Sequence, residues 1–102
     1  MIRLEWSDPA VADLENIHDY LARDSTEYAD AVIEQLIVSV ERLKAFPESG
    51  RLVPEATGIK HVRELIVSSY RIIYRSRKPA VQVLVVVHTA KEPIKPEPSD
   101  AA

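Results

Sequence analysis

The stretch HVRELIVSSYRIIYRSRKPAVQVLVVVH, residues 61–88, decides the fold of this 102-residue chain. It contains three β-rich runs, separated at Ser68-Ser69 and at residues 77–80. Because successive side chains of a strand point to opposite faces of a sheet, the alternation of the last two runs predicts a hairpin with one apolar face. That face would carry Tyr70, Ile72, Tyr74, Val81, Val83, Val85 and Val87. The opposite face would carry Arg71, Arg75, Gln82 and His88, with Arg75 opposite Gln82 or a residue of the same parity.

A strand and a helix are predicted at the start of the chain. Apolar and charged residues alternate over residues 2–6, which is typical of a short strand. Asp8 lies where a helix N-cap belongs, and Pro9 would take the first helical position, where its missing N–H is tolerated. The apolar spacing that follows predicts a helix that ends near Arg23.

A second helix is predicted from a cap at Ser25 or Thr26 to Phe46, where Pro47 stops it. The short linker between the helices makes them antiparallel neighbours. The apolar stripe of the second helix is wider than one partner helix would bury. This helix therefore either contacts both the first helix and the sheet or leaves an apolar strip for another chain. The stripe comprises Ala29, Val32, Ile33, Leu36, Ile37, Val40 and Leu43.

These elements predict an α+β fold, in which an N-terminal strand and an antiparallel helical hairpin precede a three-stranded antiparallel sheet. Residues 47–60 form a long connection, either functional or held to a surface by Leu52 and Val53. We expect one domain over residues 1–90. Residues 91–102 are expected to be a flexible tail, because prolines spaced among charges favour neither a helix nor a central strand.

Composition indicates an ordinary globular protein, with 46% hydrophobic and 28% charged residues. The absence of cysteine excludes disulfides and thiolate metal sites, and no apolar run is long enough to span a bilayer, so a cytoplasmic location is the expectation. The sequence contains no glycine-rich phosphate loop, nucleophile elbow or pair of histidines at metal-ligand spacing. We therefore expect neither a cofactor nor a bound metal.

Charge is distributed unevenly along the chain. Residues 1–34 contain two basic and nine acidic residues, whereas residues 60–78 contain six basic and one acidic residue. Such polarity is typical of a surface that meets an anionic partner, either nucleic acid or an acidic protein. The alternative is neutralisation between the helices and the sheet within the molecule.

The order of elements, together with several short motifs, resembles the ParE/RelE superfamily of toxins from bacterial toxin-antitoxin modules, and ParE-type members in particular. The resemblance covers nearly all of the chain from Arg3 to His88. The motifs that carry it are Trp6, Ala12-Asp13-Leu14, residues 17–20, Pro47, Gly50-Arg51, Pro54-Glu55, Arg63-Glu64, Tyr70-Arg71-Ile72, Tyr74 and Val87-His88.

The resemblance implies three possible functions. A ParE-type toxin would inhibit DNA gyrase by binding, would be neutralised by a cognate antitoxin protein, and would meet DNA only indirectly, through that antitoxin. A RelE-type toxin would be a ribosome-dependent mRNA endoribonuclease. The third possibility is a non-toxic interaction module of the same fold. We favour the ParE type because Thr89-Ala90 follow His88, where nucleolytic relatives tend to place a tyrosine or another catalytic side chain.

Candidate site residues differ between these functions. For a non-enzymatic toxin there is no catalytic residue, and the residues predicted to bind gyrase or antitoxin are Arg51, Arg63, Arg71, Arg75, Gln82 and His88. For a nuclease, Arg63, Arg71 and Arg75 could supply cations for the phosphate charge, and Glu64 and His88 are the nearby acid-base candidates. The residues assigned to cleavage would be Arg63, Arg71 and His88. Each cation also has a structural interpretation: Arg63 and Arg71 could pair with Glu64 or helix acids, and Arg51 with Glu55. Tyr70 and Tyr74 could be core aromatics, and His88 could simply end the last strand.

Overall fold

The computed structural model describes residues 2–53 and 61–89. The elements follow the chain as a strand, two helices and four further strands. Their bounds are β1 (Arg3–Trp6), α1 (Asp8–Ala22), α2 (Thr26–Glu41), a 3₁₀ turn (Arg42–Lys44), β2 (Arg51–Leu52), β3 (Val62–Val67), β4 (Tyr70–Arg77) and β5 (Ala80–His88). The predicted α+β class and the order of its elements are confirmed.

The strands form one five-stranded sheet in the order β1-β5-β4-β3-β2. Strands β2 to β5 pair antiparallel, and Arg75 faces Gln82 across the β4–β5 hairpin as predicted. β1 instead runs parallel to β5, with Leu4 beside Val81 and Trp6 beside Val83. The sheet is therefore mixed, and the N-terminal strand is an edge of the same sheet that the antiparallel strands form.

Side-chain caps explain where both helices begin. The Ser7 hydroxyl accepts a hydrogen bond from Ala10 N at 3.1 Å and donates one to the Leu84 carbonyl at 2.8 Å, which joins the start of α1 to β5. The prediction of Asp8 as the N-cap was wrong by one residue, since Asp8 already lies in the first helical turn. Ser25 caps α2 as predicted, accepting from Tyr28 N at 3.1 Å.

The helices pack on one face of the sheet, where the core lies. From α2 and the 3₁₀ turn the core takes Ala29, Val32, Leu36, Val40 and Leu43, and from the sheet it takes Tyr70, Ile72, Tyr74, Val81, Val83 and Val86. The wide stripe of α2 therefore contacts both α1 and the sheet. Part of the stripe stays outside this core, because Ile37 is 39% exposed and the neighbouring Val38 is 50% exposed. The α-helix is also shorter than predicted, because its final turn tightens to 3₁₀ geometry after Glu41.

A β-bulge in the β4–β5 hairpin changes which residues share a face. Ile73 faces Val85 while its neighbour Tyr74 faces Val83, so Leu84 is the extra residue of β5. Beyond the bulge the parity of β5 is reversed, and Val86 rather than Val85 enters the core. The prediction that Val81, Val83, Val85 and Val87 share one apolar face was therefore wrong after Val83.

The second sheet face has a smaller apolar cluster of Val53, Val62 and Ile73, with Leu84 and Val85 packed against it. Of the two residues predicted to hold the long connection to a surface, Val53 does so, whereas Leu52 is 62% exposed. Residues 54–60 and 90–102 lie outside the described residues. They include Glu55, the predicted tail and the predicted domain boundary.

Candidate functional site

A buried ion-pair cluster lies on the sheet face opposite the helices. The Glu64 carboxylate is 0% exposed, and Arg71 donates to its Oε1 from Nε and from Nη2, each at 2.6 Å. Arg51, whose side chain is 66% exposed, donates from Nε to the other oxygen, Oε2. Glu64 thus binds one guanidinium from β4, which is 8% exposed, and one from the short edge strand β2. The structural interpretation of Arg71 is confirmed.

Register explains why these three residues meet. Arg51 lies directly across from Glu64 in the β2–β3 pair. Arg71 faces Ile66, two residues beyond Glu64 in β3, and so lies diagonal to the carboxylate on the same face. A carboxylate without solvent contact is favourable only when paired and hydrogen-bonded, and two guanidinium forks supply both conditions.

Arg63 lies on the other side of the sheet. It faces Tyr74, a core residue, and its Nη1 donates to the Gly50 carbonyl at 2.8 Å. The N–H of Gly50 donates to the Tyr74 hydroxyl at 2.9 Å. Gly50 is therefore bound through both of its backbone groups on the helix side of the sheet, while the next residue, Arg51, binds Glu64 on the opposite side.

His88 also lies on the helix side, contrary to the prediction that it shares a face with Arg71. It faces Tyr70 across the strands, and the two rings meet edge to face with centroids 5.1 Å apart. Tyr70 is 7% exposed and belongs to the core, which agrees with its interpretation as a core aromatic residue. The physical reason for the correction is the bulge at Leu84, which reverses the orientation of the rest of β5.

Arg75 and Gln82 do share the face opposite the helices, as predicted. They line an open depression of about 340 Å³ together with Arg3, Glu5, Arg77, Lys78, Pro79 and Ala80. Arg75 and Arg77 are both exposed. The six predicted binding residues are thus divided: Arg51, Arg71, Arg75 and Gln82 lie on one face, and Arg63 and His88 on the other.

The ParE toxin of the type II toxin-antitoxin system parDE is the family that matches this chain, over residues 4–93. The chain belongs to the ParE toxin family. A protein named "Putative toxin Y4kP" from Sinorhizobium fredii (strain NBRC 101917 / NGR234) is 30% identical over 92 residues, which are 88% of this chain and 91% of that protein. A solved structure described as the chromosomal ParDE TA system from P. aeruginosa has 25% identity and a TM-score of 0.70, covering 86% of this chain and 96% of that one.

In this ParE toxin the three residues proposed for a nuclease are not brought together. Arg63 and Arg71 extend from opposite faces of the sheet. Arg63 faces Tyr74 and His88 faces Tyr70, four residues apart along β4, which separates them by about 13 Å along the strand alone. Residues 2–53 and 61–89 also contain no group of three or more His, Cys, Asp or Glu positioned to hold a metal. Within the same residues no helix is long and apolar enough to cross a membrane.

Two features were missed in the sequence. One is the double backbone contact of Gly50, for which the only local signal is a glycine just before an edge strand. The other is the exposed pair Arg77 and Lys78, which we did not include among the binding residues. Arg77 could have been found from its parity, because residues two apart in a strand share a face and Arg75 was already placed.

Burial raises the pKa of the Tyr74 hydroxyl above its usual value of 10.0, and this effect exceeds the opposing influence of the Gly50 hydrogen bond and the Arg63 charge. Burial likewise raises the pKa of Tyr70, and the nearby Tyr28 and Tyr20 hydroxyls add to the effect. Both groups therefore hold their protons more strongly in the folded protein than in the unfolded chain.

We expect the free energy of unfolding to fall at alkaline pH. The stabilisation from these raised pKa values is fully present below pH 10, the unfolded value, and is lost as the pH rises through the folded values. Thermal unfolding followed from neutral pH to well above pH 10 measures the decline. Tyr74→Phe should make the decline shallower, although it lowers stability at every pH, and an equally steep decline in that variant would contradict the assignment.

Proposed function

We propose that this ParE toxin inhibits DNA gyrase by binding to it, without cleaving RNA, and that a cognate antitoxin neutralises it. Membership of the ParE toxin family supports the toxin function and the existence of an antitoxin. The main support for a toxin without enzymatic activity is the environment of Arg71. Its guanidinium is 8% exposed and pairs with a fully buried carboxylate, so it stabilises the sheet instead of facing a substrate.

Metal-free RNA cleavage needs a base for the 2′-hydroxyl, an acid for the leaving oxygen and cations at the developing phosphate charge, all within hydrogen-bond reach of one another. In this fold Glu64, one acid-base candidate, is buried between two arginines. His88, the other, contacts Tyr70 on the helix side. Both oxygens of Glu64 are occupied by guanidinium groups, and His88 lies on the opposite face of the sheet, which supports inhibition by binding.

The antitoxin is expected to be an acidic amphipathic segment that lies along exposed apolar residues and the basic sheet face. Ile37 and Val38 supply exposed apolar surface on α2. Arg51, Arg75 and Gln82 supply polar contacts on the sheet. Sequence-specific contact of the complex with its promoter would come from the antitoxin.

Gyrase inhibition is tested with purified gyrase, relaxed plasmid and increasing amounts of the full chain. We expect supercoiling to be lost in proportion to toxin and restored by a molar equivalent of antitoxin. A parallel reaction with translating ribosomes, read by primer extension, should leave the message intact. Supercoiling that survives a large molar excess of folded toxin would contradict the proposal, and messages cut at the ribosome would support the endoribonuclease instead.

Arg75→Ala offers a sharper variant in the same assay, because Arg75 is exposed and its loss should not disturb the fold. Arg42→Ala, which removes an exposed arginine on the helical side, is the matched control. If Arg75 contacts gyrase or antitoxin, the concentration needed for inhibition or for neutralisation should rise for Arg75→Ala alone. Equal behaviour of the two variants would remove Arg75 from the binding surface.

A further inference from the structure

The positive charge of β3 and β4 divides into two groups in the folded protein. Arg71, together with Arg51 from β2, pairs with the single carboxylate of Glu64, so this cluster keeps one positive charge. Arg63 is bound to the Gly50 carbonyl. The remaining cations, Arg75, Arg77 and Lys78, lie at the end of β4 and in the turn to β5. The cations of the hairpin end are therefore the ones in β3, β4 and the following turn that no side-chain contact with a described residue engages.

These three cations form neither an ion pair nor a hydrogen bond through their side chains with any residue in the ranges 2–53 and 61–89. Two acids lie near this group, namely Glu5, which pairs with Arg3 at 2.8 Å, and Glu48. Within the described residues the hairpin end thus has three positive charges without an ion-pair partner, in a chain whose net charge is −3. Like charges placed together cost free energy in an isolated molecule, and an anionic ligand would repay that cost.

Two open depressions border this group. The first, of about 340 Å³, is lined by Arg75, Arg77 and Lys78 with Arg3, Gln82 and one acid, Glu5, which pairs with Arg3. The second, of about 370 Å³, is lined by Arg77 and Lys78 with Ser76, His61 and Glu48. Arg77 and Lys78 line both, so they can serve anionic groups on either side of the hairpin. Arg75 and Arg77 lie two residues apart on one face, about 7 Å along the strand.

We propose that the end of the β4–β5 hairpin binds the phosphate backbone of duplex DNA, independently of base sequence. Guanidinium groups bind phosphate oxygens through paired N–H donors, and lysine adds a mobile point charge. No Phe, Tyr or Trp among the described residues lines either depression, and the one ring present is the imidazole of His61, so the site offers little of the stacking surface on which single-stranded nucleic acid depends. Among the described residues, the apolar members of the two linings are Pro79 and Ala80, which is too little to anchor the hydrophobic side of an acidic peptide.

This contact goes beyond the indirect DNA contact, through the antitoxin, that the family resemblance implies. An antitoxin would recognise the bases, whereas the cations of the hairpin end would bind the phosphates of a duplex of any sequence. The proposal does not depend on gyrase inhibition, because it concerns the free chain and DNA. A toxin that fails to inhibit gyrase could still bind duplex DNA, and the reverse also holds.

The test is fluorescence anisotropy of a labelled duplex of arbitrary sequence, titrated with the full-length chain at several salt concentrations. Three phosphate contacts predict a logarithmic salt slope near −2.7, so a tenfold increase in salt should weaken binding about 500-fold. The variant Arg75→Gln/Arg77→Gln/Lys78→Gln should lose most of this slope. Unchanged thermal unfolding would show that the variant is folded, and single substitutions are available if the triple variant is not.

The matched control is Arg23→Gln/Arg42→Gln/Lys44→Gln, which makes the same change in net charge at exposed residues outside the hairpin. It should retain the affinity and the slope of the parent chain. Equal losses in both triple variants would overturn the proposal, because net charge and not the hairpin end would then govern binding. Undetectable binding at low salt would also overturn it. The proposal would also be overturned if polyglutamate or single-stranded RNA displaced the labelled duplex at a lower concentration of negative charges than unlabelled duplex does.

Discussion

Glu64→Ala is expected to lower the free energy of unfolding by about 3–5 kcal/mol, the range found when one partner of a buried ion pair is removed. The loss arises mainly at Arg71, which is 8% exposed and would keep its charge without a partner carboxylate. Arg51 contributes little to the effect, because it is 66% exposed and water can replace the carboxylate there. Urea denaturation of the parent and the variant, with the slope held common, measures the change.

Three further variants separate the ion pair from other causes. Glu34→Ala removes an exposed helical carboxylate and should change stability by no more than about 0.5 kcal/mol. Arg51→Ala should cost about 0–1 kcal/mol. Glu64→Ala/Arg71→Met should recover part of the loss, because it leaves no buried charge unpaired in the sheet. If Glu64→Ala were as mild as Glu34→Ala, the carboxylate would not be the buried centre of this cluster.

The strands and helices could be predicted from residue patterns because their signals are local. Alternation identified β3, β4 and β5, and the predicted turn at residues 76–80 placed Arg75 opposite Gln82 or a residue of the same parity. Ser25 or Thr26 was predicted as the cap of α2 from the local sequence, and Ser25 is the cap. The parallel pairing of β1 with β5 could not be predicted in this way, because it joins segments about eighty residues apart and depends on the path of the helical hairpin.

The bulge at Leu84 shows the limit of strict alternation. Val83 to Val87 are all apolar, so the sequence gives no sign of where the parity of β5 changes. The contacts that accompany the change are tertiary: Ser7 Oγ donates to the Leu84 carbonyl at 2.8 Å, and the Asp13 carboxylate accepts from Val86 N at 2.8 Å. Both partners come from α1 or its cap. The orientation of His88, and therefore the composition of the predicted site, depended on these contacts.

Charge patterning predicted a basic region but not which cations remain available. Arg51, Arg71 and Arg75 look equivalent in sequence, yet the register places two of them against Glu64 and leaves the third exposed. Pairing across strands decides this distinction, and the basic stretch contains a single acid with which to pair. Several of the motif residues behind the ParE resemblance have structural roles in the same pairing across strands. Gly50-Arg51, Arg63-Glu64, Arg71 and Tyr74 converge on one set of hydrogen bonds.

Gly50→Ala is expected to destabilise the protein by about 1–3 kcal/mol, the usual cost of overpacking. A Cβ at this position would lie 2.6 Å from the Glu64 carbonyl oxygen, 2.6 Å from the Tyr74 hydroxyl and 2.9 Å from Tyr74 Cε1. A backbone oxygen and a fully buried ring cannot move aside cheaply, so residues 50 and 51 would have to shift. Ser49→Ala, at the exposed preceding residue, is the matched control and should have little effect.

The coupling between Gly50 and Glu64 gives the decisive measurement. A shift of residue 50 carries Arg51 with it, so Gly50→Ala should weaken the Arg51–Glu64 pair as well as the Gly50–Tyr74 hydrogen bond. In a double-mutant cycle, Gly50→Ala and Glu64→Ala should therefore cost less together than the sum of their separate costs. Strict additivity would contradict a shared cluster. Loss of toxicity in either variant would then reflect the folding of the sheet, whereas loss in Arg75→Ala with normal stability would identify a surface that meets a partner.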